Sequence, residues 1–398
     1  MKNKIFVGDN YEILNSNIMN EYINKIDMIY IDPPYNNGTK FSYENQSSDI
    51  EWENFIKKRI EISYKYMSEE SAIFVSIDDY ELAQLKTIMD EIFKKENFVG
   101  IFITKQSQRS NAKHINIIHE YVLCYAKNKK KLPEFKINRM DIPEDRSMIQ
   151  NISEQVKVDF KNNGYDSAYK LLHKLIKQYC LSNNITWLRN YNNIDEDGRI
   201  YFAKDLSTPG EPREVNIPSI NFHLEPLKTR GWPRDQKIVE LYKNSRLVFK
   251  GDRPYVKHYI EEAQDSAPSI LNFYSRQGTN ALKKLGINNI FDTPKPVEMI
   301  KFFIRLCCKK DSIILDYFAG SGTTAQAVYE INMEDNRNNT YVLIQLNESV
   351  DKNTSVYNEC LKLGIVPEVQ YILKYRIDKF LSLNGKNVDY EFIMYRNQ

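Results

Sequence analysis

Ile26-Asp27-Met28-Ile29-Tyr30-Ile31-Asp32-Pro33-Pro34-Tyr35-Asn36-Asn37-Gly38 is an apolar run that ends in an acid, two prolines and a tyrosine. The run has the length and composition of a strand buried on both faces, the habit of parallel sheets, and Asn36, Asn37 and Gly38 supply the loop after it. Open α/β sheets hold ligands at loops on the carboxyl ends of their strands. Proline has no N–H and cannot extend a ladder, so the two prolines stiffen the loop and offer their carbonyls as acceptors. Asp32 adds a fixed carboxylate and Tyr35 a flat ring. Together they suit an amino group on a planar base, with oxygen acceptors for its two hydrogens and a ring to stack on. The same tetrapeptide also occurs as a plain turn, so its meaning depends on the rest of the chain.

Strands and helices alternate around this loop. Lys4–Val7 reads as a strand that ends at Gly8-Asp9-Asn10, followed by a helix over about Tyr11–Asn20. Trp52, Phe55, Ile56, Ile60, Tyr64 and Met67 recur at helical spacing, and Ser71–Ile77 is a second buried strand. Leu82, Leu85, Ile88, Met89, Ile92 and Phe93 mark another helix face, and Phe98–Thr104 and His119–Ala126 two further strands. The aromatics on these helices read as core, and His119 as a satisfied core histidine. Such alternation predicts a mostly parallel sheet wrapped by helices. From Asn128 to about Asn163 the text is polar and loses its period, which marks a domain boundary; a helix over Ser167–Tyr179 follows, then short segments broken by prolines and glycines up to Ile290. The α/β pattern resumes at Pro294, with strands at Ser312–Asp316 and Tyr341–Leu346, a helix at Thr324–Asn332 and a last helix carrying Val369, Ile372, Leu373, Ile377 and Phe380. No element is assigned beyond Asp389.

Composition narrows the class. The 398 residues are 42% hydrophobic, enough for a core and more than one domain. With 55 basic and 53 acidic residues the total charge of +2 does not announce a nucleic-acid binder, but its distribution is uneven. Between Thr104 and Lys131 seven Lys/Arg face only Glu120, and between Lys228 and Lys257 nine face Asp235, Glu240 and Asp252; each segment is either a solvated face or a phosphate-binding one. Five cysteines without zinc-type spacing predict reduced thiols in a cytoplasmic protein and no metal. No run approaches a membrane span, so no membrane partner is expected.

The strand at Ser312–Asp316 opens into Tyr317-Phe318-Ala319-Gly320-Ser321-Gly322-Thr323-Thr324. Two glycines in three residues, in a chain with only 14, mark a turn where backbone approaches a ligand. The pattern is neither a Walker loop nor a full dinucleotide fingerprint. Paired with the Asp32 loop on a neighbouring strand, it resembles the amino-methyltransferases of DNA, in the motif order of their β class. The blocks Ile31–Gly38, Ile73–Asp79, His119-Glu120-Tyr121, Thr293-Pro294-Lys295-Pro296 and Leu315–Thr324 are similar to the modification subunits of type III restriction systems.

That resemblance implies an α/β, Rossmann-like S-adenosylmethionine-dependent methyltransferase fold with circularly permuted motifs, a mixed, mostly parallel sheet and an inserted target-recognition domain. Residues 1–130 would be the catalytic half, 131–290 the DNA-binding insertion, 291–385 the cofactor half with a C-terminal helix, and 386–398 a tail. It implies transfer of a methyl group to N6 of a flipped-out adenine, with Asp32, Pro33, Pro34 and Tyr35 as the catalytic residues. S-adenosylmethionine would meet Phe318, Ala319, Gly320, Ser321, Gly322 and Thr323 at its methionine part and Asp9 and Asn10 near its adenine, flanked by Asp32, Lys295 and Pro296. Its ribose would meet either Gln345 or Glu348. Lys105, Arg109 and Lys113, with Lys228, Arg230 and Arg234 around Trp232, are the expected phosphate contacts. Double-stranded DNA is the implied partner, with a homodimer and a restriction endonuclease subunit as further partners. An acid at position 32 favours adenine; a cytosine-N4 enzyme and a catalytically silent specificity module are the alternatives.

Overall fold

The computed structural model describes residues 2–36, 49–105 and 114–396. They form two compact units: residues 1–135 with 267–398, and residues 136–266.

The first unit is built on nine strands: β1 (Asn3–Val7), β2 (Ile26–Ile31), β3 (Met67–Ile77), β4 (Phe98–Lys105), β5 (His119–Ala126), β6 (Ile270–Tyr274), β7 (Ile313–Asp316), β8 (Thr340–Gln345) and β9 (Tyr390–Met394). Their order across the sheet is β6-β4-β5-β3-β2-β7-β8-β1-β9. Every pairing is parallel except those of β5 with β3 and β4, so this is the mixed, mostly parallel Rossmann-like sheet the sequence implies. β2 and β7 are neighbours, with Met28 opposite Ile314 and Ile29 opposite Leu315. Their following loops, the Asp32 loop and the glycine loop, therefore leave the same edge of the sheet side by side, where the strand order jumps between distant parts of the chain. The central strands are buried on both faces, which is why they read as unbroken apolar runs.

On one face Trp52, Ile56 and Ile60 of the Asp49–Tyr64 helix pack with Ile29, Ile31, Ile73 and Val75 into a continuous core. Each of these residues is at most 1% exposed, and each such side chain contributes about 1.5–3 kcal/mol by burial. The Val297–Cys307 helix lays Phe303 on Tyr30 and Phe74 (ring centroids 6.3 and 4.5 Å), and the Thr323–Glu334 helix follows the glycine loop. The five cysteines are buried thiols. Among the described residues no helix is long and apolar enough to cross a membrane.

The second unit opens and closes with strands Lys136–Asn138 and Gln264–Ser266, paired antiparallel; helices Pro143–Asn163 and Tyr165–Ser182, broken at Gly164 (φ +81°), share through their apolar stripes a core that includes Ile149, Ile152, Val156, Leu172 and Ile176. A four-stranded antiparallel sheet follows, ordered Leu247–Lys250, Arg253–Tyr259, Ile200–Asp205 and Asn193–Ile194. A separate cluster gathers Phe222, Leu224, Ile238 and the buried Trp232.

Four expectations differ from what is observed. The stretch read as an aperiodic boundary contains the 21-residue helix Pro143–Asn163, whose stripe of Met148, Ile149, Ile152 and Val156 is too thin to show among charged and amide residues. The expected helix over Tyr11–Asn20 is a short helix, Asn10–Asn15, followed by a 3₁₀ turn over Asn17–Tyr22. Residues 267–290, grouped by sequence with the insertion, lie in the first unit because β6 adds to the sheet edge through Ile270–Ile103 and Leu271–Thr104. The expected tail contains β9, paired with β1 from Asn3–Tyr390 to Val7–Met394.

Candidate active site

The Asp32 loop is held from below and from both sides. Trp52, whose ring is in the core, donates its Nε1 hydrogen to the Pro34 carbonyl at 2.5 Å. Asn36 takes a left-handed conformation (φ +54°) and donates to Glu81 at 2.9 Å. The Tyr35 hydroxyl donates to Asp32 Oδ1 at 2.7 Å. Burial and the neighbouring carboxylates hold the Tyr35 hydroxyl well above its ordinary range, so it stays a donor.

Lys295, expected to flank the cofactor, sits among these groups. Its ammonium donates to the Tyr35 hydroxyl at 2.6 Å and to Glu120 Oε2 at 2.7 Å, and lies 3.2 Å from Asp32 Oδ1. Glu120, on β5, thus becomes a second carboxylate beside Asp32, a member of the site that sequence reading had only within His119-Glu120-Tyr121. Burial pushes the Asp32 carboxyl up, the Lys295 ammonium pulls it down and Glu120 raises it again, leaving it above the ordinary carboxylate range. Burial likewise pushes Lys295 down, but the two carboxylates more than offset this and hold it firmly charged. Pro296, buried at the start of the Val297–Cys307 helix, fixes where Lys295 departs.

The glycine loop is fastened on the neighbouring strand. Gly320 (φ +52°) and Gly322 (φ +78°) are left-handed, and a Cβ on them would lie 3.3 Å from Phe291 Cζ and 3.1 Å from Leu373 Cγ. Gly320 N–H donates to Gln345 Oε1 at 2.7 Å, and Ala319 N–H to the Ile344 carbonyl at 3.2 Å. Asp316, which the sequence did not single out as a site residue, ties the loop's two ends: it accepts from Phe318 N–H at 3.0 Å and from the Thr324 hydroxyl at 2.5 Å. Ser321 and Thr323 lie buried within the turn.

Asp9 and Asn10 meet the same loop from the β1 side. Asp9 caps the Asn10–Asn15 helix, accepting from Tyr11 and Glu12 N–H at 2.9 and 3.1 Å, and pairs with Arg59 at 3.0 Å. Asn10 donates to the Tyr317 carbonyl at 2.6 Å and accepts from Arg59, whose guanidinium lies 3.6 Å from the Phe55 ring centre. Phe318 packs beside Phe55, centroids 5.9 Å apart. Gln345 is spent on the glycine loop, whereas the partly buried Glu348 carboxyl is pushed up to about 7 by burial alone.

The expected phosphate contacts divide. Lys105, at the end of β4, lies 5.9 Å from the Tyr274 ring centre beside Glu120 and Lys295; Arg109 and Lys113 lie outside the described residues. In the second unit Lys228, Arg230 and Arg234 are all exposed, and Arg230 is also held by Ser207, donating to its hydroxyl at 2.7 Å and its carbonyl at 3.0 Å. His119 is no core residue: a third of its side chain is exposed, and it bonds the Tyr121 hydroxyl at 2.7 Å.

Asp316 yields a prediction about stability. Burial raises its carboxyl from 3.8 to about 7, so from pH 4 to 7 the folded chain keeps a proton that the unfolded chain has released. Stability is therefore lost as pH rises through that window. Asp316→Asn keeps the shape without the ionisation, and the variant's stability relative to the parent should improve by about 2 kcal/mol between pH 5 and pH 8 in urea unfolding. A pH-independent difference would contradict the burial argument.

Comparison with known proteins adds to this geometry. The family model described as DNA methylase matches residues 26–354. The Mod subunit of the type III restriction-modification enzyme EcoP15I from Escherichia coli is 28% identical over 98% of this chain and 64% of its own length. The EcoPI Mod subunit of Escherichia phage P1 is 28% identical over 90% of the chain and 59% of its length, and the type II methyltransferase M.KpnI of Klebsiella pneumoniae 29% identical over 89% and 82%. The chain thus spans roughly three fifths of the two Mod subunits. The match runs from β2 through Lys295 and the glycine loop to residue 354, taking in both loops that carry the site though not Asp9 and Asn10, and the chain belongs to the DNA methylase family.

Proposed function

We propose that this chain transfers a methyl group from S-adenosylmethionine to the exocyclic N6 of an adenine flipped out of double-stranded DNA. The observation that carries the reading is the adjacency of the Asp32 loop and the glycine loop on β2 and β7, with a carboxylate, a phenol and a charged lysine converging at the first of them.

The fit to the cofactor rests on this chain's own groups. The cradle at Gly320 and Gly322 accepts only backbone, Ser321 and Thr323 line the turn, and Glu348 offers a carboxyl whose pKa burial raises. We assign the ribose hydroxyls to Glu348, since Gln345 is already engaged by Gly320. S-adenosylmethionine supplies an electrophilic methyl on a sulfonium. Asp9 and Asn10 act mainly by fixing the loop's first residues.

The chemistry asked of the protein is to expose a lone pair. An adenine amine is conjugated with its ring and is a poor nucleophile. Holding both its hydrogens on oxygen acceptors turns the lone pair out of conjugation and aims it. Asp32 is one acceptor, and of the two proline carbonyls Pro33's is the one we assign, because Trp52 occupies Pro34's. Tyr35 supplies the stacking face. As the nitrogen gains positive charge on methylation, the carboxylates of Asp32 and Glu120 lower the cost of that charge, and Asp32 is placed to take the proton it sheds.

Asp32 must be ionised to act, so turnover should fall on the acid side. Lys295→Met removes the charge that lowers its pKa and should move the acid limb of the kcat/KM profile up; Glu120→Gln removes a charge that raises it and should move the limb down. Two shifts in the same direction would contradict these roles.

We assign target recognition to residues 136–266, supported by their position between the two motifs and by the exposed Lys228 and Arg234. A restriction subunit as partner is supported by the names of the Mod relatives. The reaction is tested with purified protein, duplex DNA and methyl-labelled cofactor, followed by digestion to nucleosides. Label in N6-methyldeoxyadenosine is expected; label in N4-methyldeoxycytidine would overturn the choice of base, and no label the activity.

A further inference from the structure

Behind the glycine loop lies a buried cation that no carboxylate among the described residues bonds directly; Glu330 acts on it only through space. Arg376, on the Val369–Leu383 helix, is 0% exposed. Its Nη1 donates to the Ser321 hydroxyl at 2.7 Å, the Thr323 hydroxyl at 2.8 Å and the Ser321 carbonyl at 3.4 Å, and its Nε to Gln326 Oε1 at 3.0 Å. Its Nη2 is buried and has no hydrogen-bond partner among the described residues. Among the described residues no carboxylate bonds the guanidinium directly. The connection to one runs through Gln326, which donates to Glu330 at 2.8 Å, and Glu330 is itself paired with Lys301.

An unpaired buried cation is costly, and chains keep one where a negative charge arrives from outside or where the field itself is used. Arg376 lies against the two hydroxyls of the turn that would receive the amino-acid end of the cofactor. A hydroxyl that accepts from a guanidinium keeps its own hydrogen to donate, so Ser321 and Thr323 are turned into donors. Thr323 also opens a 12-residue helix, whose N-terminal dipole has the same sign. The matched region of the family model ends at residue 354, before this helix.

We propose that Arg376 is a positioning residue for cofactor binding: from behind the glycine loop it orients the Ser321 and Thr323 hydroxyls and supplies the positive field that selects a carboxylate-bearing ligand. The inference rests on the cofactor reading above. It predicts discrimination between S-adenosylmethionine and its decarboxylated analogue, which keeps the sulfonium, ribose and adenine and lacks only the carboxylate. The analogue carries one more net positive charge, so the buried guanidinium opposes it.

The test is calorimetric titration of the full chain with each ligand. The parent protein should bind S-adenosylmethionine at least 30-fold more tightly than the decarboxylated analogue. Arg376→Met should cut that ratio about tenfold or more, chiefly by weakening S-adenosylmethionine, while affinity for the analogue stays within about threefold or improves. Arg376→Lys should retain most of the ratio. A purely structural arginine would weaken both ligands alike, and that result overturns the proposal. So does a parent ratio near one, which needs no variant to fold. Binding of neither ligand by the parent protein would instead bring down the cofactor reading, and this inference with it.

Discussion

Asp32→Ala is expected to lower methyl transfer on the order of 10³-fold or more, while cofactor affinity stays within a few-fold. Within Asp32–Asn36, the described part of the loop after β2, the carboxylate is the only acidic group, and it is aimed by three contacts: the Tyr35 hydroxyl at 2.7 Å, the Lys295 ammonium at 3.2 Å and the rigid proline pair behind it. Alanine leaves the loop standing, because its backbone is fastened independently by Trp52 and Asn36. It removes the acceptor that turns out the amine lone pair, and leaves Lys295 paired to Glu120 alone. Single-turnover assays with saturating DNA and cofactor separate the two effects. Activity within tenfold of the parent would mean that Asp32 is not the acceptor.

Gly320→Val is expected to do the reverse, weakening cofactor binding at least 100-fold. Gly320 sits at φ +52°, a conformation β-branched residues scarcely adopt, and its missing Cβ leaves room that valine's methyls would take, 3.3 Å or less from Phe291. To relieve the strain the turn must move, which breaks the Gly320 bond to Gln345 and displaces the cradle. The strain itself costs about 1–3 kcal/mol, small against the stability of a unit with this core, so the variant should still fold. Unchanged titration with S-adenosylmethionine would show that the loop has another task.

The two loops were legible in the sequence because each carries a strong local signal. β2 and β7 are buried on both faces and so spell continuous apolar runs, and two glycines stand out in a chain with few of them. What joins the loops was legible only through resemblance, since adjacency of β2 and β7 is a property of sheet order. Lys295 is placed beside the cofactor only by the resemblance that the block Thr293-Pro294-Lys295-Pro296 carries. The side chains it bonds, Tyr35 and Glu120, are 260 and 175 residues away, which no local pattern reveals. Glu120 was hidden inside a strand motif, where an acid among apolar residues has no period to betray it. Arg376 reads as one more basic residue on an amphipathic helix, and only its burial and its missing partner set it apart. The Pro143–Asn163 helix and β9 escaped because their apolar faces are narrow, and an edge strand or a two-helix pair needs no more.

The central claim, that one carboxylate on a strand-end loop directs methylation to adenine, is tested most directly in cells. Long-read sequencing of DNA from a methylation-free host expressing this chain, beside one expressing Asp32→Ala, reads base, position and sequence context together. The account predicts N6-methyladenine in a single recurring sequence context, absent with the variant. Methylation that persists in the variant, or that falls on cytosine, would contradict it.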